Sequence, residues 1–312
     1  MRILFMGTPE FAAASLEALC AHGHEVVGVL TQPDRPQGRG MKLACSAVKQ
    51  TALRLGLPVH QPETLRDRAI LPLLEETQPE CIVVVAYGKL LPGYVLRFPK
   101  YGCINVHGSL LPKYRGAGPI QAAVINGDAE TGVTTMYMAR VMDSGDMLLS
   151  ASTPIAPDDT AETVHDRLMA LGAQTLLRTL DGLEAGTLRR IPQDESEVTF
   201  APMLSRADGR MDWTQPASVL YNRARGMTPW PGSFTYAGGA VLKLSGIRPS
   251  ALRSDAAPGT VLVHDGALCV VCGDGAALEI GALQPPGRRM TPAADYLRGH
   301  KPPGRFDLTE NG

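Results

Sequence analysis

Residues 103–119 read Cys-Ile-Asn-Val-His-Gly-Ser-Leu-Leu-Pro-Lys-Tyr-Arg-Gly-Ala-Gly-Pro: a short β-type run that breaks into glycine and proline. Within the run, Asn105 and His107 stand two positions apart. Residues i and i+2 of a strand share a face, so an amide and an imidazole project together where the chain leaves the strand. Gly108 follows, and then Pro112, Gly116, Gly118 and Pro119 exclude regular structure. An ordinary buried strand has no use for Asn and His on one face, but a site does.

The neighbouring sequence places that strand in a sheet. Residues 81–86 are an uninterrupted apolar run, as expected of a central strand covered on both faces. Tyr87-Gly88-Lys89 then leaves the sheet at the C-terminal edge, where open α/β sheets bind ligands. At the start of the chain, a strand over 2–6 leads through Gly7-Thr8-Pro9 into a helix. Thr8 suits the N-cap and Pro9 the first helical position, with Phe11, Ser15, Leu16 and Leu19 facing inward. His22-Gly23 closes the helix, and a second strand covers 26–31. A β-loop-α-β opening predicts a parallel, Rossmann-like sheet. The first turn is not G-x-G-x-x-G, which disfavours a dinucleotide; its helix N-terminus suits an anion or a plain turn equally.

Residues 32–45 read as a long connection without regular structure. It carries Arg35, Arg39 and Lys42 against Asp34 alone, which suits either a phosphate backbone or a solvated surface loop. Helices are expected over 46–55, 65–76 and 119–126, and strands at 59, 132–138 and 147–155. A turn over 141–146 holds Asp143 and Asp146. A long helix over 160–184 has the stripe Val164, Leu168, Leu171, Thr175, Leu176 and Leu180. Periodicity then weakens, as in a linker. Beyond it, short apolar runs over 241–247, 259–263, 267–272 and 277–283 describe a small β-rich domain of barrel type, preceded by a helix over 216–227. Trp230, between Pro229 and Pro231, reads as a packing anchor in preference to a base-stacking group. The class is α/β: a Rossmann-like, mostly parallel sheet domain over 1–188, a linker over 189–205 and a smaller C-terminal β-barrel (OB-like) over 206–312.

A chain of 312 residues suits two domains, and a formal net charge of −1 exerts no global pull on nucleic acid, so a polyanion would be held by local patches. Among six cysteines, Cys269 and Cys272 form a C-x-x-C in an apolar run. Positions three apart on a strand face opposite sides, so buried reduced thiols are expected, not a metal or redox pair. No apolar run approaches the ~20 residues of a membrane span. The sequence enters an apolar strand at once, without the charged and apolar pattern of a leader, so the cytoplasm is the expected compartment.

If the 141–146 turn lies beside the strand ending at His107, as neighbouring strands of one parallel sheet would allow, then Asn105, His107 and Asp143 meet. An amide and an imidazole can hold a developing oxyanion, and a carboxylate can orient the imidazole and accept a proton. No Ser or Cys is paired with His in a nucleophile elbow, so direct acyl transfer to an amine fits better than covalent catalysis.

Asn-Val-His-Gly-Ser-Leu-Leu-Pro (105–112), Tyr-Arg-Gly-Ala-Gly-Pro (114–119) and Met-Asp-Ser-Gly-Asp (142–146) resemble the 10-formyltetrahydrofolate-dependent formyltransferases. Gly7 to Phe11, Thr31 to Pro36, Val85 to Gly88 and Pro229 to Pro231 resemble the branch whose acceptor is methionyl-tRNA. The resemblance covers nearly the whole chain. It implies that Asn105, His107 and Asp143 are the catalytic trio and that Ser109, Leu110, Leu111 and Pro112 bind the folate. It also implies that the loop with Arg35, Arg39 and Lys42 reaches the acceptor end of the tRNA. The co-substrate implied is 10-formyltetrahydrofolate, the partner initiator methionyl-tRNA, and no metal is called for. A formyltransferase acting on a small amine, glycinamide ribonucleotide or an amino sugar, would share the trio but have less use for the barrel and the basic loop.

Overall fold

The computed structural model describes residues 1–37 and 42–307. Contacts divide the chain into two compact units: residues 1–119, 130–154 and 165–201, and residues 120–129, 155–164 and 202–312.

The first unit opens with β1 (Arg2–Gly7), α1 (Glu10–Ala21) and β2 (Glu25–Leu30). Residues 32–45 were expected to lack regular structure; instead β3 (Arg35–Gln37) and β4 (Lys42–Ala44) pair as an antiparallel hairpin. Arg39 lies outside the described residues. Next come α2 (Ala47–Arg54), whose Ser46 cap accepts from Lys49 N, β5 (Val59–His60), α3 (Leu71–Thr77), β6 (Cys81–Val85), α4 (Gly93–Leu96) and β7 (Cys103–His107). The helix expected over 65–76 begins only at Leu71, because Asp67 and Arg68 take positive φ and interrupt it. Beyond α5 (Pro119–Asn126), β8 (Glu130–Tyr137), β9 (Met147–Pro154) and α6 (Ala161–Glu184) follow.

The seven strands lie in the order β5-β2-β1-β6-β7-β8-β9. Strands β5, β2, β1, β6 and β7 run parallel, while β8 and β9 are antiparallel additions. The parallel pairing expected beside β7 on the side of Asp143 is therefore corrected. From β1 the chain builds outward through β2 and β5 and then returns to β6 on the other side. That reversal is the switch point at which open α/β sheets carry their ligands.

The central strands are apolar on both faces because helices cover both. On one side Leu4, Met6, Leu30, Leu74, Ile82, Val84 and Val95 form a core. On the other Phe11 and Val106 lie against Gly172 of α6, and the Thr135 and Thr179 hydroxyls meet at 2.7 Å. Each such fully buried aliphatic side chain contributes roughly 1.5–3 kcal/mol of transfer free energy. Thr8 does not cap α1. Pro9 occupies the N-cap, and the Thr8 hydroxyl donates to Tyr87 O, which also accepts from Gln32 Nε2 at 2.9 Å. Three loops at the switch point are thereby tied to one carbonyl.

The second unit contains α7 (Ala217–Gly226), β10 (Ser233–Ala237), β11 (Ala240–Ser245), β12 (Arg248–Arg253), β13 (Val261–His264), β14 (Ala267–Val271), β15 (Ala276–Ile280), β16 (Ala282–Gln284), β17 (Thr291–Pro292) and α8 (Ala293–Gly299). They form two four-stranded antiparallel sheets, β10-β11-β16-β17 and β12-β15-β14-β13, around one core. That core is anchored by Trp213, which is 0% exposed and donates its indole N–H to Thr235 Oγ1 at 2.9 Å. Trp230, read from sequence as the anchor, is 51% exposed. Its flanking prolines rigidify the corner without burying the ring. Cys272 joins the core while Cys269 faces Ser250 across the sheet, and burial pushes the Cys272 thiol up to about 12. Among the described residues, no helix is long and apolar enough to cross a membrane.

Candidate active site

Asn105 and His107 lie on one face of β7 at its C-terminal end, both buried, with Val106 turned to α6. The His107 Nε2 atom is 2.9 Å from Tyr114 O. A carbonyl only accepts, so Nε2 carries the proton, and Nδ1 is left to exchange one. Asp143 Oδ2 lies 3.8 Å from that Nδ1, beyond a direct hydrogen bond, and instead accepts from Gly116 N at 2.8 Å. His107 and Asp143 come together, with Asn105 two positions back on the same strand face. The carbonyl of Tyr114, however, orients the imidazole, a role that the sequence reading gave to the carboxylate.

Two glycines make the approach possible. Gly116 has φ +123°, and a Cβ there would fall 2.5 Å from Ala201 O. At Gly145 a Cβ would fall 1.8 Å from Tyr137 O, so only glycine lets the turn fold back on the end of β8. Asp143 itself has φ +52°, a left-handed conformation costing a non-glycine residue about 1 kcal/mol.

What holds that conformation comes from the stretch read as a linker. Gln193 Nε2 donates to Asp143 O and to Gly145 O, at 2.8 Å each. Its Oε1 accepts from Arg115 Nε at 2.9 Å, and Arg115 forks onto both carboxylate oxygens of Glu195. Arg115 is only 4% exposed. Glu195 is exposed, so solvent screens the pair, yet the guanidinium holds its carboxyl below the usual range. Tyr114 N donates to Thr199 Oγ1 at 2.9 Å, Arg115 N to Thr199 O at 2.9 Å, and Gly118 N to Ala201 O at 3.0 Å. Residues 191–201 thus form a strap across the 114–118 loop and the Asp143 turn. Polar residues in an aperiodic stretch gave no local signal of this.

The segment 109–112 is fixed mainly through backbone. Ser109 and Leu111 are buried, and the Ser109 hydroxyl donates to Lys113 O at 2.6 Å. The Thr134 hydroxyl, unnoticed in the sequence, donates to Ser109 O and accepts from Leu111 N. Leu110 and Pro112 remain half-exposed. Burial pushes the Tyr87 phenol up to about 12, so it stays neutral. Arg35 is exposed on β3, and Lys42 opens β4. The root of that hairpin is pinned by Asp34, which accepts from Lys49 Nζ at 2.6 Å and from Gln61 Nε2 at 2.8 Å. These bonds hold the Asp34 carboxyl below its ordinary range, the Lys49 contact first.

Among the described residues, one set has the makings of a metal site: His22, His24 and Asp181, whose ligating atoms lie within 4.8 Å of one another. It sits where α1 ends beside α6 and shares no residue with the Asn105–His107–Asp143 group.

Residues 1–180 match the family model for formyl transferase, and residues 203–301 match that for the formyl transferase C-terminal domain. The methionyl-tRNA formyltransferase of Moorella thermoacetica is 49% identical over 303 residues, 96% of each chain. That of Solibacter usitatus is 48% identical over 311 residues, covering 100% of this chain and 97% of its own. Among solved structures, an N-formyltransferase from Helicobacter canadensis, in complex with folinic acid and dTDP-3-aminofucose, superposes with a TM-score of 0.68 at 15% identity. The match covers 90% of this chain and 98% of that one. HypX from Aquifex aeolicus in complex with tetrahydrofolic acid gives 0.62 at 19% identity, over 95% of this chain and 47% of its own. At such identities the likeness is one of fold. The family models and the full-length relatives carry the assignment: the chain belongs to the formyl transferase family.

Proposed function

We propose that the chain transfers the formyl group of 10-formyltetrahydrofolate to the free α-amino group of initiator methionyl-tRNA, giving N-formylmethionyl-tRNA for translation initiation in the cytoplasm. The observation that carries this reading is the likeness, at 48–49% identity over essentially the whole chain, to relatives named for that reaction. The site geometry supports it.

The α-amine titrates near ~8, so a neutral fraction is present at neutral pH. Its lone pair attacks the formyl carbon, and the carbonyl electrons move onto oxygen. Asn105 donates an amide N–H to that oxyanion, and His107 does so once its Nδ1 has taken up a proton, because Nε2 is committed to Tyr114 O; donors of this kind are worth about 3 kcal/mol each. Asp143, whose carboxylate stands clear of direct contact with His107, accepts the amine proton directly or through water. The carbon–N10 bond then breaks, N10 takes up a proton and tetrahydrofolate leaves. Attack, proton transfer, oxyanion stabilisation and loss of N10 are thus each served by side chains of this site. Ser109 to Pro112 cradle the folate, with Leu110 and Pro112 offering the accessible surface.

In this reading residues 1–188 form the catalytic domain, 189–205 the connection, and 206–312 a domain that binds tRNA together with Arg35, Arg39 and Lys42. Purified protein with 10-formyltetrahydrofolate and either methionyl-tRNA, glycinamide ribonucleotide or an amino sugar nucleotide tests it. Formylation of charged tRNA is expected; formylation of a small amine without charged tRNA would overturn the reading.

A further inference from the structure

The hairpin β10–β11 has a buried and an open face. Thr235, Leu242 and Leu244 point into the core, whereas Phe234 and Tyr236 lie outward, directly across the ladder from Lys243 and Val241. The two aromatic rings meet edge to face at 5.8 Å. This face forms one wall of a cavity of about 980 Å³, which Trp230 and Met290 also line. Trp230, Val241 and Met290 all leave large apolar surfaces open there. None of the three is needed for the core, which Trp213 already anchors.

The charge lining the cavity is positive: Arg206, Arg225 and Lys243 against Asp158. Arg225 is held rigid by the carbonyls of Ala156 and Asp159 and by Asn222, so it contributes a fixed positive field. Lys243 and Arg206 are exposed. Flat aromatic faces in a cationic cavity of this size match a ligand with a π-face and a negative charge. Successive bases of a single strand stack on such platforms while lysine and arginine track the phosphates.

We propose that this cavity takes an unpaired nucleotide of the RNA acceptor, with its base on Trp230 and its phosphates toward Lys243 and Arg206. The identity of the RNA rests on the proposed acceptor; the cavity's preference for a single strand does not.

The two tryptophans provide the test, since Trp213 is wholly buried and Trp230 is open. The full chain is titrated with a single-stranded hexaribonucleotide, the same sequence as a duplex, and a free nucleoside monophosphate, while tryptophan emission is read. The single strand is expected to quench the Trp230 emission, less so as salt rises, with the duplex and the monophosphate ineffective at equal concentration. Trp230→Phe should abolish the quench while the Trp213 emission reports an intact fold. Trp230→Leu should raise KM for methionyl-tRNA about 10-fold, and Lys243→Glu should weaken oligonucleotide binding and lower its salt slope by about one. Equal quenching by the monophosphate or the duplex, quenching that survives Trp230→Phe, or an unchanged KM in Trp230→Leu would overturn the proposal. Transfer to methionyl-tRNA alongside any of these would sink the cavity alone. Oligonucleotide quenching without transfer to tRNA would sink the proposed acceptor alone.

Discussion

At the residue scale the site depends on two donors and one strained carboxylate. Replacing Asn105 or His107 by Ala removes an oxyanion donor and should lower kcat about 10²- to 10³-fold, with a smaller change in KM, read from initial rates at saturating donor. Gln193 is the less obvious case. It touches no reacting atom, and it acts by holding the carbonyls of Asp143 and Gly145. Gln193→Ala should cost roughly 10-fold in kcat, the scale of one or two positioning hydrogen bonds. Because its effect passes through Asp143, Gln193→Ala added to Asp143→Ala should cost little more; additive losses in that double-mutant cycle would assign Gln193 a general structural role.

Asn105 and His107 were legible in the sequence because their message is local: two polar residues on one face of a five-residue strand. Gln193 and Thr199 were not. Each acts across the chain, Gln193 on a residue 50 positions away and Thr199 on one 85 away. A side chain that serves a distant backbone leaves no spacing to read. Trp230 misled for the opposite reason: its prolines gave a strong local signal of rigidity, which says nothing about burial.

At the scale of elements, the strands and helices were legible wherever an apolar period ran between glycine and proline breaks, as in β6, α6 and β14. The hairpin β3–β4 was missed because its strands are three residues long, too short to show a period, and β12 because it reads Arg-Pro-Ser-Ala-Leu-Arg with mostly exposed side chains. Among the described residues, the side-chain bonds that pin the β3–β4 hairpin lie at its root. The folded Asp34 carboxyl lies below its ordinary value, so its contribution is complete above the ordinary carboxylate range and is lost as pH falls through the lowered value. Lys49→Met should remove the lysine half of that pin at all pH values and leave the Gln61 bond, speeding amide exchange in β3 and β4. Arg35→Ala and Arg39→Ala should raise KM for methionyl-tRNA several-fold without raising that for the folate; equal effects on both substrates would refute a division of labour between loop and trio. The Arg115–Glu195 fork has the same sign: the Glu195 carboxyl should titrate below the ordinary glutamate range by NMR and move upward in Arg115→Ala.

At the scale of the whole molecule, two separately cored units carry different burdens. The second is organised around Trp213, which packs on Phe306 at 5.9 Å between ring centroids and satisfies its indole through Thr235. Trp213→Ala should destabilise it by about 3–5 kcal/mol, seen as an earlier transition in denaturant. Trp230→Ala, from the half-open ring, should shift that midpoint far less.

The strap has a last consequence, for the length of the chain. A connector that only joins two bodies tolerates spacers anywhere, because loop entropy grows slowly with length. Residues 191–201 are instead counted out against fixed partners: Ile191 on Met147, Gln193 on Asp143, Thr199 on Tyr114 and Ala201 on Arg115. A flexible tetrapeptide inserted after Asp194 would throw these contacts out of step and silence the enzyme with both cores intact. The same insert after Met203, whose side chain is exposed, should pass almost unnoticed. The ruler by which the active site measures itself runs through the segment that looked most like slack.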